Sequence, residues 1–250
     1  MSEESARIRA AIVDDEELAR SVLREFLAAH PEVEIVAECA NGFEAVRAVT
    51  ELRPDLLFLD IQMPKLDGFE VLELIGSEVA VIFVTAYDEF ALRAFEVHAV
   101  DYLLKPFGAE RLAESLDRAK SRLGRRGSLP VKALISVARP KEGPAQRVLV
   151  RDGSRVHVVP VDKLDYVQAQ DDYVCLHSEG KEFLKEQTLA ELETTLDPGR
   201  FVRIHRSYLL NVERLTRVEP YGKDSRVAIL ADGTRLPVSR SGYARLTELL

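Results

Sequence analysis

The sequence predicts two modules in series: an α/β unit on a five-stranded, doubly wound parallel sheet over residues 7–123, and a mainly antiparallel β unit over residues 146–250. Three observations lead there. In the first half, short apolar runs ending in polar residues alternate with stretches whose apolar side chains recur every three or four positions, the βα repeat of a sheet covered on both faces. Beyond residue 146 the apolar spacing changes to every second residue, punctuated by Asp-Gly and Glu-Gly turns, as antiparallel hairpins require. Charge divides at the same places: residues 1–120 hold 25 acidic against 12 basic side chains, residues 121–145 hold 1 against 6, and residues 146–250 hold 16 of each. The overall charge of −8 conceals that division.

With 250 residues the chain is long enough for two cores. No apolar run reaches the roughly 18 to 20 residues of a membrane span, and Met1-Ser2-Glu3-Glu4 is acidic and lacks a signal peptide's apolar core, so a cytoplasmic protein without a membrane partner is expected. Cys39 and Cys175 lie far apart in unlike segments, which excludes a disulfide framework and any cysteine metal site.

In order, Ile8 to Val13 is a strand ending in Asp14-Asp15, followed by a helix expected to bury Leu18, Val22, Phe26 and Leu27. Val33 to Ala37 is the second strand, Asn41-Gly42 a turn, and Phe43, Val46 and Val49 the inner stripe of the second helix. Leu56-Leu57-Phe58-Leu59, set between Arg53-Pro54-Asp55 and Met63-Pro64, is a buried third strand that delivers Asp60 to its carboxyl end. Asp67 caps a helix with Val71, Leu72 and Ile75, and Val79 to Val84 is a fourth strand ending in Thr85. Asp88 opens a helix carrying Phe90, Leu92 and Phe95. Val100 to Leu104 is the fifth strand, stopped by Lys105-Pro106, and Ala109 to Leu123 is the last helix. Residues 124–145, with Gly124-Arg125-Arg126-Gly127-Ser128, Pro130, Pro140 and Gly143-Pro144, have the composition of a basic flexible linker.

Ligands of open α/β sheets bind at the carboxyl ends of the strands. That rule brings Asp14, Asp15, Asp60, Thr85 and Lys105 to one edge. Taken singly, the aspartates serve as readily as helix caps, Thr85 as a strand-end hydroxyl and Lys105 as a solvated charge. Together they form a cluster whose three carboxylates repel at neutral pH unless a hard cation sits among them, and Mg²⁺ suits oxygen ligands that include few protein carboxylates. A hydroxyl and an ammonium beside that cation would face an anion carried on Asp60.

On these residues, 7–123 resembles the receiver domain of two-component response regulators, a flavodoxin-like fold. The resemblance implies that Asp60 is the phosphoacceptor, that Asp14, Asp15, Asp60 and the Gln62 main-chain carbonyl hold Mg²⁺, and that Thr85 and Lys105 bind the phosphoryl oxygens. It also implies that Tyr102 is a switch residue that moves with Thr85, and that the Lys105-Pro106 bond is cis. Phosphatases of the haloacid dehalogenase type also use a strand-end Asp, but they place a second Asp two residues on, where this chain has Gln62.

In the second module, Arg147 to Val150 and Val156 to Val159 flank Asp152-Gly153. Leu164 to Ala169 and Tyr173 to His177 flank Gln170-Asp171-Asp172, and Glu179-Gly180 leads into Lys181 to Leu184. Thr188 caps a helix with Leu189, Leu192 and Leu196. Phe201 to Ile204, Tyr208 to Leu210, Leu215 to Val218, Val227 to Leu230 and Arg235 to Val238 are further strands, and Gly242 to Leu250 closes as a helix.

The run Phe201-Val202-Arg203-Ile204-His205-Arg206-Ser207-Tyr208-Leu209-Leu210-Asn211, with Leu236-Pro237-Val238-Ser239-Arg240, resembles the LytTR-type DNA-binding domain, and both modules together resemble the LytR/AlgR family. That implies a ten-stranded β fold that lays loops into the major groove. Carried over, the base-reading positions are Asp171, Asp172, Arg206 and Arg240; arginine suits bidentate contact with guanine, and the acidic turn is a departure that would accept from cytosine or shape its loop. Lys185, Tyr221 and Lys223 are weaker candidates, for phosphate contact, and Arg203 is a weaker candidate for DNA contact.

The implied function is a phosphorylation-controlled transcriptional regulator. A cognate histidine kinase donates phosphate to Asp60, and the modified chain pairs as a homodimer on double-stranded promoter DNA bearing direct or paired repeats. Capture of one phosphoryl group and its slow loss do not make the chain an enzyme. The other class left open is a signalling adaptor whose β module binds a protein and not DNA.

Overall fold

The computed structural model describes residues 7–76, 79–88, 90, 94, 99–124, 143–221 and 225–249, and the chain divides into two compact units. In the first unit, β1 (Ile8–Val13), β2 (Val33–Cys39), β3 (Leu56–Leu59), β4 (Ala80–Thr85) and β5 (Asp101–Leu104) form a parallel sheet in the order β2-β1-β3-β4-β5. Helices α1 (Glu17–Leu27), α2 (Gly42–Leu52), α3 (Gly68–Ile75) and α4 (Ala109–Leu123) connect or follow the strands. All four residues of β3 are buried, as expected of the central strand of a doubly wound sheet. The order in which strands are added reverses between β1 and β3, which run parallel, and this opens a crevice at their carboxyl ends. Register places Val13 beside Leu59, Leu59 beside Phe83 and Thr85 beside Leu104, so the polar residues that follow these strands line up on one edge.

Two expectations are corrected. Helix α1 buries Leu23 and Leu27, whereas Leu18 is 76% exposed and Val22 39%. Both sets are spaced by four residues and make equally good helical rows, and the row that meets the β1 side of the sheet is the one carrying Leu23. Asn41 is not a free turn but the N-cap of α2, its side-chain oxygen accepting from the Glu44 backbone N–H at 3.0 Å. Asp67 caps α3 as expected, and the structure adds a reciprocal bond from Glu70 that completes a capping box. Of the helix expected from Asp88, Leu92 and Phe95 lie outside the described residues.

One buried carboxylate, unremarked in the sequence, ties α4 to β5. Asp101 accepts from Arg111 Nη1 and Nη2 at 2.7 and 2.9 Å, from Ser115 Oγ at 2.6 Å and from Arg118 Nη1 at 2.8 Å. Burial alone would raise its pKa, but the hydrogen bonds from Arg111 and Ser115, with the Arg111 charge, carry it down to about 2 from an ordinary 3.8. A depressed carboxylate pKa contributes stability that is full above the ordinary value and lost as pH falls towards the folded one. Asp101→Asn is therefore expected to destabilise the first unit by about 2 kcal/mol at neutral pH, with the difference from wild type vanishing between about pH 4 and pH 2. Denaturant melts of both proteins across that range measure it, and a difference independent of pH would refute it.

Among the described residues, the chain from 143 onward forms ten strands, β6 (Arg147–Asp152) to β15 (Arg235–Val238). Strands β8 (Leu164–Gln170), β9 (Tyr173–Ser178), β10 (Lys181–Lys185), β11 (Phe201–His205) and β12 (Tyr208–Asn211) form an antiparallel sheet in the order β10-β9-β8-β12-β11. A second sheet joins β13 (Leu215–Tyr221), β14 (Ser225–Leu230) and β15, while β6 pairs with β7 (Arg155–Pro160). The twofold period divides the apolar residues between two cores. Phe201 and Leu209 join Val148, Val167, Leu176 and Leu192 under helix α5 (Leu189–Thr195), and their neighbours Val202 and Leu210 join Ala228, Leu236 and Leu246 under helix α6 (Arg240–Leu249). The terminal helix thus begins at Arg240, two residues before the expected Gly242. Both cysteines are buried free thiols.

Candidate functional site

At the carboxyl edge of the first sheet, Asp14 and Asp60 are buried, Asp15 is exposed, and each of the three can present a carboxylate oxygen within 4.8 Å of the others. The backbone sets this spacing: the Asp60 N–H donates to Val13 O at 2.9 Å, continuing the β1–β3 ladder to the acidic residues themselves. Gly68 holds the far side, donating its N–H to Ile61 O at 2.8 Å; a Cβ there would lie 2.4 Å from Asp60 O, so no larger residue lets α3 approach so closely.

Lys105 comes from the end of β5, where its N–H donates to Thr85 O at 2.8 Å and the bond to Pro106 is cis. Its ammonium spans the crevice, donating to Asp14 Oδ2 at 2.6 Å and Asp60 Oδ2 at 3.2 Å. The remaining Asp60 oxygen, Oδ1, accepts from the Ile61 N–H at 2.6 Å, and Asp14 Oδ1 accepts from the Glu16 N–H at 3.0 Å. Burial and the neighbouring Asp14 charge push the Asp60 pKa up, while Lys105 holds it down. Burial would lower the Lys105 pKa, but its two aspartate partners raise it, so the ammonium stays charged.

Thr85 is fully buried, and its hydroxyl has no hydrogen-bond partner among the described residues, although it lies close enough to Asp60 to favour that carboxylate's charged form. A buried hydroxyl without a partner is costly unless something else occupies it, and an oxygen carried on Asp60 would. The donor set fits a hard divalent cation: carboxylate oxygens at short mutual distance, one of them on the solvent-exposed Asp15. Gln62 is exposed two residues after Asp60. The Tyr102 hydroxyl donates to the Tyr87 main-chain carbonyl, which ties the expected switch residue to the loop that follows β4.

The second unit brings its candidates together through sheet pairing. Strand β12 pairs with β8 so that the Ala169 N–H donates to Ser207 O at 2.9 Å, which sets the exposed Asp171-Asp172 turn beside the turn carrying exposed Arg206. The Ser239 N–H donates to Ile204 O at 2.9 Å, which brings Arg240 to the same edge. Asp171 has φ +50°, a left-handed turn conformation that Asp adopts more readily than most residues. Arg203 pairs with Glu193 at 3.2 Å and donates to Arg206 O at 2.8 Å. Lys185 donates to Leu149 O at 2.8 Å and so anchors β10 to β6, while Tyr221 is exposed. Lys223 lies outside the described residues. Sequence reasoning passed over His205 and Arg245, which stand beside Arg206 in an open cavity of ≈ 410 Å³.

Residues 10–117 match the model of the response regulator receiver domain, and residues 154–250 match that of the LytTr DNA-binding domain. Over 247 residues, 97% of this chain and 99% of the relative, the chain is 38% identical to "Transcriptional regulatory protein BtsR" of Salmonella typhi. The protein of the same name from Escherichia coli strain K12 is 38% identical over 248 residues, with the same coverage of both chains. "Sensory transduction protein LytT" of Bacillus anthracis is 33% identical over 246 residues, again 97% of this chain and 99% of the relative.

Proposed function

The chain belongs to the two-component response regulators that join a receiver domain to a LytTR DNA-binding domain, phosphorylation-controlled DNA-binding regulators, and we propose how its own residues divide that work. A receiver over residues 7–123 passes its signal through the basic linker 124–145 to a DNA-binding module over 146–250. The reading is carried by one observation: Asp14, Asp60, Thr85 and Lys105, distant in sequence, meet at one sheet edge around a buried carboxylate.

Asp60 Oδ2 attacks the phosphorus of a phosphohistidine on the cognate kinase. The carboxylate lone pair forms the new P–O bond, the P–N bond breaks with its electrons on the imidazole nitrogen, and that nitrogen takes a proton from solvent. Lys105 then turns its ammonium from Asp14 to a phosphoryl oxygen, and the unsatisfied Thr85 hydroxyl donates to another. Asp14, Asp15, Asp60 and the Gln62 carbonyl are the residues to hold Mg²⁺, which when bound neutralises the acidic cluster and polarises the phosphoryl oxygens. Movement of Thr85 frees space for Tyr102 to leave the Tyr87 carbonyl and turn inward, a local charge change read out as a shape change. Asp60 acts once per phosphoryl group, so the chemistry is a switch and not an enzyme's turnover. We place the protein in the cytoplasm, as a homodimer when phosphorylated, with Arg206 and Arg240 reading bases of paired promoter sites.

A protein-binding adaptor is the competing reading, and duplex binding measured at rising salt separates the two. Neutralising several phosphates releases counterions, so affinity should fall linearly on logarithmic axes. Arg206→Ala is expected to cost about 1–3 kcal/mol and to relax sequence preference. Duplex affinity that is indifferent to salt and to Arg206 would favour the adaptor.

A further inference from the structure

The cavity beside Arg206 is lined by Arg203, His205, Arg206, Ser239, Ser241 and Arg245. Among the described residues no carboxylate lines it, and Arg203, Arg245 and His205 are held in place by bonds to backbone groups. Arg203 Nη2 donates to Arg206 O at 2.8 Å, and Arg245 Nη2 donates to Arg203 O at 2.6 Å, so one guanidinium is tethered to the turn and the other to the strand that leads into it. His205 Nδ1 accepts from the Ser207 N–H at 3.2 Å, which assigns the proton of the neutral ring to Nε2 as a donor. The Ser239 hydroxyl is spent, accepting from the Gly242 N–H of α6 at 3.0 Å and donating to Ile204 O of β11 at 3.1 Å, and Ser241 Oγ is paired with it at 3.3 Å. Among the described residues, Glu193 is the carboxylate that pairs with a lining arginine, at Arg203, and none pairs with Arg206 or Arg245.

A concave surface that offers three guanidiniums and an imidazole N–H, with no acceptor charge of its own, is built for an oxyanion with several oxygens. We propose that it seats a backbone phosphate of bound DNA, gripped by Arg245 and Arg203 with His205 Nε2–H, immediately beside the base that Arg206 reads. This rests on the DNA-binding reading and deepens it: Arg206 sits at the rim of the cavity, so one strand passing the turn meets a base reader and a phosphate seat together. Arg245 is a phosphate-positioning residue on this view, one and a half turns along the helix that opens with the base reader Arg240.

The test uses the full chain and duplexes of several sequences, with affinity measured across a salt series. Arg245→Gln is expected to weaken binding about tenfold on every duplex alike and to lower the salt slope by about one, while Lys163→Gln, which removes an equal charge away from the cavity, leaves the slope unchanged. Should Arg245→Gln melt early, Arg203→Gln, which leaves the Arg245 side chain in place, is expected to give the same uniform loss and slope change. Unchanged affinity and slope in both variants overturn the proposal, as does a loss confined to particular sequences, which would make Arg245 a base reader. Inorganic phosphate that raises the wild-type melting temperature, with the duplex slope unaltered by either variant, would assign the cavity to a free phosphate and overturn the DNA seat. Wild-type protein that binds no duplex in a salt-dependent way sinks the DNA-binding reading itself, and this seat with it.

Discussion

Asp60→Asn is expected to take up no phosphate from acetyl phosphate, whereas the wild-type chain is labelled. Asparagine keeps the size and shape of the side chain, and its carbonyl oxygen can still accept the 2.6 Å bond from the Ile61 N–H. It loses the lone-pair charge that attacks phosphorus, and no neighbour replaces it. Asp14 is committed to Lys105 at 2.6 Å and to the Glu16 N–H, and Asp15 is exposed on the outer side of the cluster. Removing one of three crowded carboxylates also relieves the repulsion that, with burial, raises the Asp60 pKa, so the variant should melt no earlier than wild type. Lost labelling with an intact melt is therefore a chemical loss and not an unfolded domain. Intact-mass measurement reads the added phosphoryl group directly, and labelling retained in the variant would refute Asp60 as the acceptor.

Gly242→Ala is expected to have the largest effect on stability in the second unit. Helix α6 packs on β11 so closely that a Cβ at this position would stand 1.9 Å from Ile204 O, 2.4 Å from Ile204 C and 2.7 Å from Ile204 Cα. All three are backbone atoms of a buried strand, so no side-chain rotation relieves the clash, and the helix must withdraw. The same Ile204 carbonyl accepts from the Ser239 N–H and hydroxyl, so withdrawal breaks the helix cap as well. Overpacking a core ordinarily costs about 1–3 kcal/mol, and a backbone clash of this depth should lie at or beyond the upper end. For a unit of this size that lowers the melting temperature by more than about 10 °C. Calorimetry should show the transition of the second unit falling while that of the first stays put, with duplex binding lost because Ser239, Arg240 and Arg245 move with the helix. An unshifted melt would contradict the packing described for α6.

Much of this is legible in the amino-acid sequence, for identifiable reasons. A buried parallel strand must be apolar along its length, so Leu56-Leu57-Phe58-Leu59 announced both the strand and the residue at its end, and the same reasoning located Asp14, Thr85 and Lys105. Turn chemistry located the hairpins and capping chemistry two of the helix starts, at Asp67 and Thr188. Periodicity failed at α1 because Leu18 and Val22 repeat with the same spacing as Leu23 and Leu27, and only the neighbouring sheet decides which row is covered. It gave no warning of Asp101, whose importance comes from Arg111, Ser115 and Arg118 a helix away. Nor did it mark His205 or Arg245, since the cavity between them is assembled by the Ile204 carbonyl accepting from a segment some 35 residues later. Local pattern reports elements, and cross-element hydrogen bonds must be seen to be known.

The central claim is that phosphate on Asp60 controls the grip of the C-terminal module on DNA. Its most direct test is duplex affinity at one fixed salt concentration, measured for the wild-type chain and Asp60→Asn, each with and without acetyl phosphate and Mg²⁺. Tighter binding on phosphodonor addition in the wild type alone is the expected result. Equal affinity in all four conditions, or a response that Asp60→Asn shares, would contradict it.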